Sequence, residues 1–300
     1  MNATIRMLMR AMSPITQGEG TKGNEQIIRR EPVQTPLGVR YVPTITGNSL
    51  RHRMLREPLA EQLVSAWALQ KTLTKEQVRF LFNGGALGGE HGSSLGRIEE
   101  IQRLLPMTAL LGASLPDAIM PGRLRMGIAW LVCAETLPAI ERDTPADWWP
   151  IIAPDHKGQP VRQFVATNAE SFVGRGQYYR HDAARHRPDL LEKDSSADYA
   201  GMPHGGELVM AGAEFYLRID VARCDDLTLG ALLFGLSAWH ESGATVGGQS
   251  SRGHGRLAPS IELGGLDADT LIATYLQHVA NVREEGTRLL RSLWAKAVAA

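Results

Sequence analysis

The sequence predicts an α+β protein with a ferredoxin-like (RRM-like) sheet, on three observations. Four short segments alternate apolar and polar residues, as strands with one buried face do. Helical periodicity separates the first from the second and the third from the fourth. The resulting order (strand, helix, strand, strand, helix, strand) is the split βαβ pattern.

In the first segment, Thr4 to Met12, Ile5, Met7, Met9 and Ala11 share one side, with Arg6 and Arg10 on the other. Ser13 to Val42 reads as a polar, Gly-rich loop. Asn48 or Ser49 then caps a helix whose first turns carry Leu50, Met54 and Leu55. Pro58 is expected to kink or restart it, with the continuation running towards Lys71. Residues 72 to 120 read as mostly helical, interrupted at Gly84-Gly85 and between Gly88 and Gly96. Arg123 to Trp130 is the second strand, with Leu124, Met126, Ile128 and Trp130 in phase. Residues 140 to 205 mix Pro, Gly, charge and aromatics without clear period and read as an excursion from the core. The third strand, within Glu207 to Val221, carries Phe215, Leu217, Ile219 and Val221. Asp225 or Asp226 caps a helix with Leu229, Leu232, Leu233 and Leu236 on one face. The Gly-rich stretch Gly247 to Gly255 leads into the fourth strand, Arg256 to Leu263. A terminal helix presents Leu271, Ile272, Tyr275, Leu276 and Val279. Because the first and last strands must pair, residues 1–300 are expected to form a single decorated domain.

The 300 residues are 43% hydrophobic, enough for a substantial core. Lys+Arg and Asp+Glu balance at 32 each. Proteins that coat nucleic acid are usually net basic, so such a role requires charges segregated onto separate faces. They are segregated: six Arg (Arg29, Arg30, Arg40, Arg51, Arg53, Arg56) stand against one acid, Glu31, between Gln26 and Arg56. Cys133 and Cys224 are too few for a metal cluster and sit among apolar residues, so buried thiols in a reducing cytoplasm are expected. No secretory signal is read near Met1, and the longest apolar run, Leu227 to Trp239, is too short to span a bilayer, so no membrane partner is expected.

Two motifs carry the functional reading. Gly247-Gly248-Gln249-Ser250-Ser251-Arg252-Gly253-His254-Gly255-Arg256 is dense enough in glycine for close backbone approach and for N–H groups aimed at an anion. The competing reading is a plain turn between helix and strand. A P-loop is excluded, because no Gly-Lys-Ser/Thr follows and a strand comes next. The second motif, Tyr41 to Arg56, puts Arg51, His52, Arg53 and Arg56 within two turns of a helix N-terminus, where unpaired N–H groups favour phosphate. Its competing reading is a solvated basic face. The nine histidines form no helical metal pair, so neither a metal nor a cofactor is expected.

Three stretches, SPITQGEG, YVPTITGNSLRHRML and GGQSSRGHGRL, together resemble the signatures of the RAMP superfamily of CRISPR proteins, and in particular its Cas-seven backbone subunits. Leu104 to Met126 is similar to the segment before their second strand. The layout looks most like the type IV backbone protein. The resemblance implies a hand-shaped molecule. Its palm covers about 1–50, 121–140 and 206–264, its helical fingers about 51–120, its thumb about 160–205 and its C-terminal helix about 267–298. It implies a ribonucleoprotein function in antiviral defence, with no catalysis by this chain. Its partners would be a guide (crRNA), a target DNA or RNA strand paired to it, copies of the chain in a helical filament, and other effector subunits. The implied RNA-binding residues are Arg29, Arg30, Asn48, Ser49, Arg51, His52, Arg53 and Arg56 from the first half. Arg175, Tyr178, Tyr179 and Arg180 come from the thumb, where aromatics among Arg suit stacked bases. Gly248, Gln249, Ser250, Ser251, Arg252 and His254 come from the late loop. Type III relatives cut target RNA with an acid in the loop after the first strand; the comparable stretch here, Gly23 to Arg29, lacks Asp and has Glu25 close to the place. A target-RNA nuclease or a repeat-processing endonuclease is therefore the alternative, with a protein-only scaffold behind it.

Overall fold

Alternation buries Ile5, Met7 and Met9 of β1 (Ala3–Ala11) and turns Arg10 to solvent. The structure, a computed structural model, describes residues 2–22, 25–85, 95–145, 167–179 and 203–294. Four strands follow where the sequence predicts a loop: β2 (Gly18–Lys22), β3 (Glu25–Ile28), β4 (Arg30–Thr35) and β5 (Gly38–Ile45). These strands bury little: β2 is exposed throughout and only the end of β5 enters the core. Without a buried face, strands leave no alternation to read.

Then come α1 (Gly47–Arg51), one wide π-helical turn (His52–Arg56) and α2 (Glu57–Ala66). Pro58 lies in the first turn of α2, and the wide turn before it makes room for its ring. The helix stops at Trp67, short of Lys71. Next are α3 (Lys75–Asn83), opened by a Thr74/Gln77 capping box, α4 (Leu95–Leu104), α5 (Pro106–Leu111) and the hairpin β6 (Ala113–Leu115) and β7 (Ala118–Met120). The second predicted strand is two pieces, β8 (Leu124–Met126) and β9 (Ala129–Leu131). The break at Gly127 shifts the phase, so Ala129 and Leu131 are buried and Trp130 turns to the other face.

After α6 (Leu137–Asp143) come β10 (Val173–Tyr179) and β11 (Pro203–Val209). The third predicted strand also divides: a turn with Gly212 at φ 91° separates β11 from β12 (Glu214–Val221). Asp225 caps α7 (Asp226–Glu241), accepting from the Thr228 N–H at 2.8 Å. β13 (Leu257–Glu262) precedes α8 (Ala268–Asn281) and α9 (Arg283–Ser292), which meet at Val282, so the predicted single terminal helix is two.

The large sheet runs β13-β1-β12-β9-β5-β4, with β8 also pairing β12, and every pairing in it is antiparallel. Met7 stands opposite both Leu217 of β12 and Ile261 of β13. A second sheet runs β10-β11-β3-β2. The buried face of the large sheet, including Met7, Phe215, Leu217 and Ile45, joins one core with Leu229, Leu232 and Leu236 of α7. On the opposite face α6 covers Leu8, Val132 and Tyr216, held by the Tyr216 hydroxyl donating to Asp143 at 2.6 Å. Both cysteines are buried and neither forms a disulfide, and burial pushes the Cys133 thiol up to about 11. Among the described residues no helix is long and apolar enough to cross a membrane.

Candidate nucleic-acid interface

The helix start forms where β5 leaves the sheet. Thr46, rather than Asn48 or Ser49, is the cap: its hydroxyl accepts from the Ser49 N–H at 3.3 Å. The turn comes early because the backbone of Gly127 and Met126 crosses at this point. A Cβ on Gly47 would lie 2.6 Å from the Gly127 carbonyl oxygen, so only glycine fits. Asn48 and His52 remain exposed and Ser49 half-buried.

Arg51 and Arg56 point to chemistry. Arg56 is 7% exposed. Its Nη2 donates to the Gly112 carbonyl at 3.1 Å, and Gly84 lies against its guanidinium. Arg51 is half-buried, and its buried Nε has no hydrogen-bond partner. Among the described residues no carboxylate pairs with either. Burial lowers the pKa of Arg51. Burial first, and the Arg51 charge second, lower that of Arg56 to about 10. Two cations crowded together without an acid are an unfavourable arrangement until an anion shares the site. Arg53 differs, being bound to Glu57 one turn on at 2.9 Å.

The late Gly-rich loop is built around a short 3-10 turn, Ser250–Arg252. Gly247, Gln249, Gly253 and Gly255 all take positive φ. At Gly255 a side chain would strike the Val246 carbonyl, and at Gly247 the Thr16 carbonyl. Its N–H groups are not all aimed outward, as the sequence reading expected. Gly248 donates to the Thr16 carbonyl, Gly255 to Pro14, and Arg252 and His254 to Gln249 within the loop. The His254 ring meets the Thr16 hydroxyl at 2.9 Å, and Gln249 donates to the Gln26 side chain at 3.0 Å. Ser251 and Arg252 are exposed.

Thr16 and Gln26, which sequence reasoning left out of the site, are thus what the loop rests on. Thr16 lies within SPITQGEG, so that signature and GGQSSRGHGRL are physically one unit. A hydrogen-bonded seam links this unit to the helix start. Gln17 O accepts from the Arg29 N–H at 2.8 Å, and Arg29 O from Thr44 N–H at 3.2 Å, two residues before the Thr46 cap. From β13 to β5 is four strand spacings, about 19 Å across the sheet.

Other predicted residues serve the fold. Arg30 gives both terminal nitrogens to Glu207, at 2.7 and 3.2 Å, with Glu170 at 3.4 Å from its Nε. It ties β4 to β11, and its guanidinium is already taken up by carboxylates, so it is not free to grip phosphate. Arg29 is bound to Glu31 at 2.7 Å, a bond that raises its pKa. Arg175 is 70% exposed on β10 and approaches Glu25 of β3 to 3.7 Å. Tyr178 and Tyr179 lie in β10, opposite His204 and Pro203 of β11. Arg180 and the rest of the expected thumb up to residue 202 lie outside the described residues.

No family model matches the chain, and no curated protein does. Solved structures do. A chain of a "Type IV-B CRISPR Complex" aligns over 88% of this chain and 92% of its own, at TM-score 0.57 and 16% identity. Csc2 of Thermofilum pendens aligns over 96% of this chain and 76% of its own, at TM-score 0.38 and 14% identity, too low a score to define a shared fold. The α+β fold described above is therefore the one found in the Type IV-B CRISPR complex.

Proposed function

We propose that this chain is a backbone subunit of an RNA-guided CRISPR effector complex, and that it holds the guide strand by its phosphates without catalysing a reaction. The observation that carries the proposal is the Arg51–Arg56 pair: desolvated, mutually repelling, and unpaired with any acid among the described residues. A phosphodiester supplies the missing charge and carries no sequence information, so binding is indifferent to the guide's spacer. In this reading β13, β1, β12 and β9 form a ferredoxin-like palm. Their antiparallel order corresponds to fourth, first, third and second strands of the βαββαβ pattern, which supports the assignment. The helices between residues 51 and 111 act as fingers, and β10 and β11 form the base of a thumb. The glycine loop, resting on Thr16 and Gln26, lines the same path with Arg252. Copies stacked along the guide present its bases to a target strand, in company with other effector subunits.

The test is binding of purified protein to labelled single-stranded RNAs of equal length and unrelated sequence. Affinities should agree within about threefold, and Arg51→Ala with Arg56→Ala should weaken all of them alike. A strong preference for one sequence contradicts backbone gripping. Sequence-defined cuts in guide or target, dependent on a divalent metal and abolished by Glu25→Ala, would replace this reading with the nuclease.

A further inference from the structure

Between α6 and the strands β8, β9 and β12 lies an open cavity of about 510 Å³, on the sheet face turned away from the main core. Strand register builds it. Trp130 of β9 stands opposite Tyr216 of β12, and Arg125 of β8 opposite Asp220, and residues so opposed share a face. Trp130 is half-buried against the cluster of Leu8, Val132, Ile140 and Tyr216, and lines the cavity with Ile128. The polar groups are fixed in advance. The Tyr216 hydroxyl donates to Asp143 at 2.6 Å, and Arg6 Nε donates to the Asp143 carbonyl at 2.9 Å. Arg218 bonds both Asp143 and Asp220, and the Thr4 hydroxyl donates to Asp220 at 2.7 Å. Arg125 is exposed and makes no hydrogen bond or ion pair among the described residues.

These features select the occupant. The lining sets two guanidinium groups, Arg125 and Arg218, against two carboxylates, Asp143 and Asp220, so its formal charge is zero. A charged group therefore finds no excess of the opposite sign. An alkyl chain would set hydrocarbon against Arg125 and the carboxylates. A flat, neutral ring with hydrogen-bonding edges suits both parts: it stacks on Trp130 and meets donors and acceptors at its rim. The cavity also adjoins the helix start. Gly127 lies on its rim, and its carbonyl is the atom against which Gly47 packs. Arg51 follows Gly47 by one helical turn, about 6 Å along the axis. We infer that this cavity receives one unstacked base of the strand whose phosphates are held at Arg51 and Arg56, with Trp130 as the stacking wall and Arg125 at the base edge. The inference rests on the proposed function in that the strand supplies the base. Every base has a face to stack, so the site is tolerant of sequence.

The experiment scans a short single-stranded RNA one position at a time, with 5-iodouridine for photocrosslinking and with an abasic sugar for affinity. Crosslinks should map to Trp130 or Tyr216. The abasic sugar at the crosslinking position should weaken binding roughly fivefold or more. A Cβ on Gly127 meets only open space, so Gly127→Leu obstructs the cavity without a clash in the fold, as circular dichroism checks. That variant should lose a similar factor on the intact strand and nothing further on the abasic one, since both changes remove the same contact. Its log–log salt slope should equal that of wild type, because a base carries no charge. Abasic strands that bind as tightly as intact ones at every position overturn the inference and leave the proposed function standing. So do crosslinks that avoid this cavity, or losses from Gly127→Leu and the abasic sugar that simply add. A shallower slope for Gly127→Leu would mean that the cavity holds phosphate, and the inference is wrong. If Gly127→Leu does not fold, the crosslinks and the abasic scan of wild type decide. Absence of any strand binding by wild type removes the proposed function and this inference together.

Discussion

Replacing Arg56 by Met should make the protein more stable and worse at binding RNA. The guanidinium is 7% exposed and its pKa falls from the ordinary arginine value to about 10, because burial and the neighbouring Arg51 charge disfavour the cation. At about 1.36 kcal/mol per tenfold, that gap is worth roughly 3 kcal/mol against the charged form. For a base with a depressed pKa the penalty is fully present below pH 10, where both folded and unfolded chains are protonated. It fades only as pH rises through about 10 towards the ordinary arginine value, where the unfolded chain binds the proton more tightly. At neutral pH the whole penalty is therefore felt. Met keeps the length of the side chain and drops the charge, but forfeits the bond to the Gly112 carbonyl, worth about 1 kcal/mol. The net gain is about 2 kcal/mol, or roughly 3 °C in melting temperature for a chain of this size. Thermal melts at pH 7.5 without nucleic acid read the first effect, and single-stranded RNA binding the second. A melting temperature that drops by several degrees would show that the cation is a structural member of the fold, and would refute the reasoning.

Two further outcomes follow from the geometry. Arg30→Ala breaks the fork to Glu207 and leaves that half-buried carboxylate without its main partner. It should destabilise the fold by roughly 1–3 kcal/mol in chemical denaturation while short-RNA affinity, measured well below the melting temperature, stays within about twofold of wild type. Gly255→Ala forces a side chain at φ 89° into the Val246 carbonyl. A loss on the order of 2 kcal/mol or more is expected in the same assay, together with weaker RNA binding as the loop leaves Thr16; an unchanged melt would mean that the loop is not held as described.

Elements with one buried face were legible in the sequence. β1, β12 and α7 lie where alternation or helical spacing puts them, since each packs a continuous row such as Ile5-Met7-Met9 into the core. The strands β2 to β5 were illegible because they bury only isolated positions such as Ile28, Val42 and Ile45 and no continuous alternating face. β8 and β9 merged into one predicted strand because a change of phase at Gly127 leaves no mark in composition. In the site, both motifs were visible as glycine and arginine density. Their division of labour was not. Arg30 and Arg51 look alike in sequence, and only the fold decides that one meets Glu207 while the other meets no acid among the described residues. Thr16 was flagged only as part of a signature, and Gln26 carried no signal, since a hydrogen bond between residues 26 and 249 depends wholly on tertiary placement.

The most direct measurement is the salt dependence of single-stranded RNA binding by wild type and by Arg51→Ala with Arg56→Ala. A pair gripping one phosphate gives a steep log–log slope for wild type, shallower in the variant by about 0.7, the value per phosphate released. Equal slopes for the two proteins, or affinity that does not respond to salt, would contradict an anion-binding role for Arg51 and Arg56.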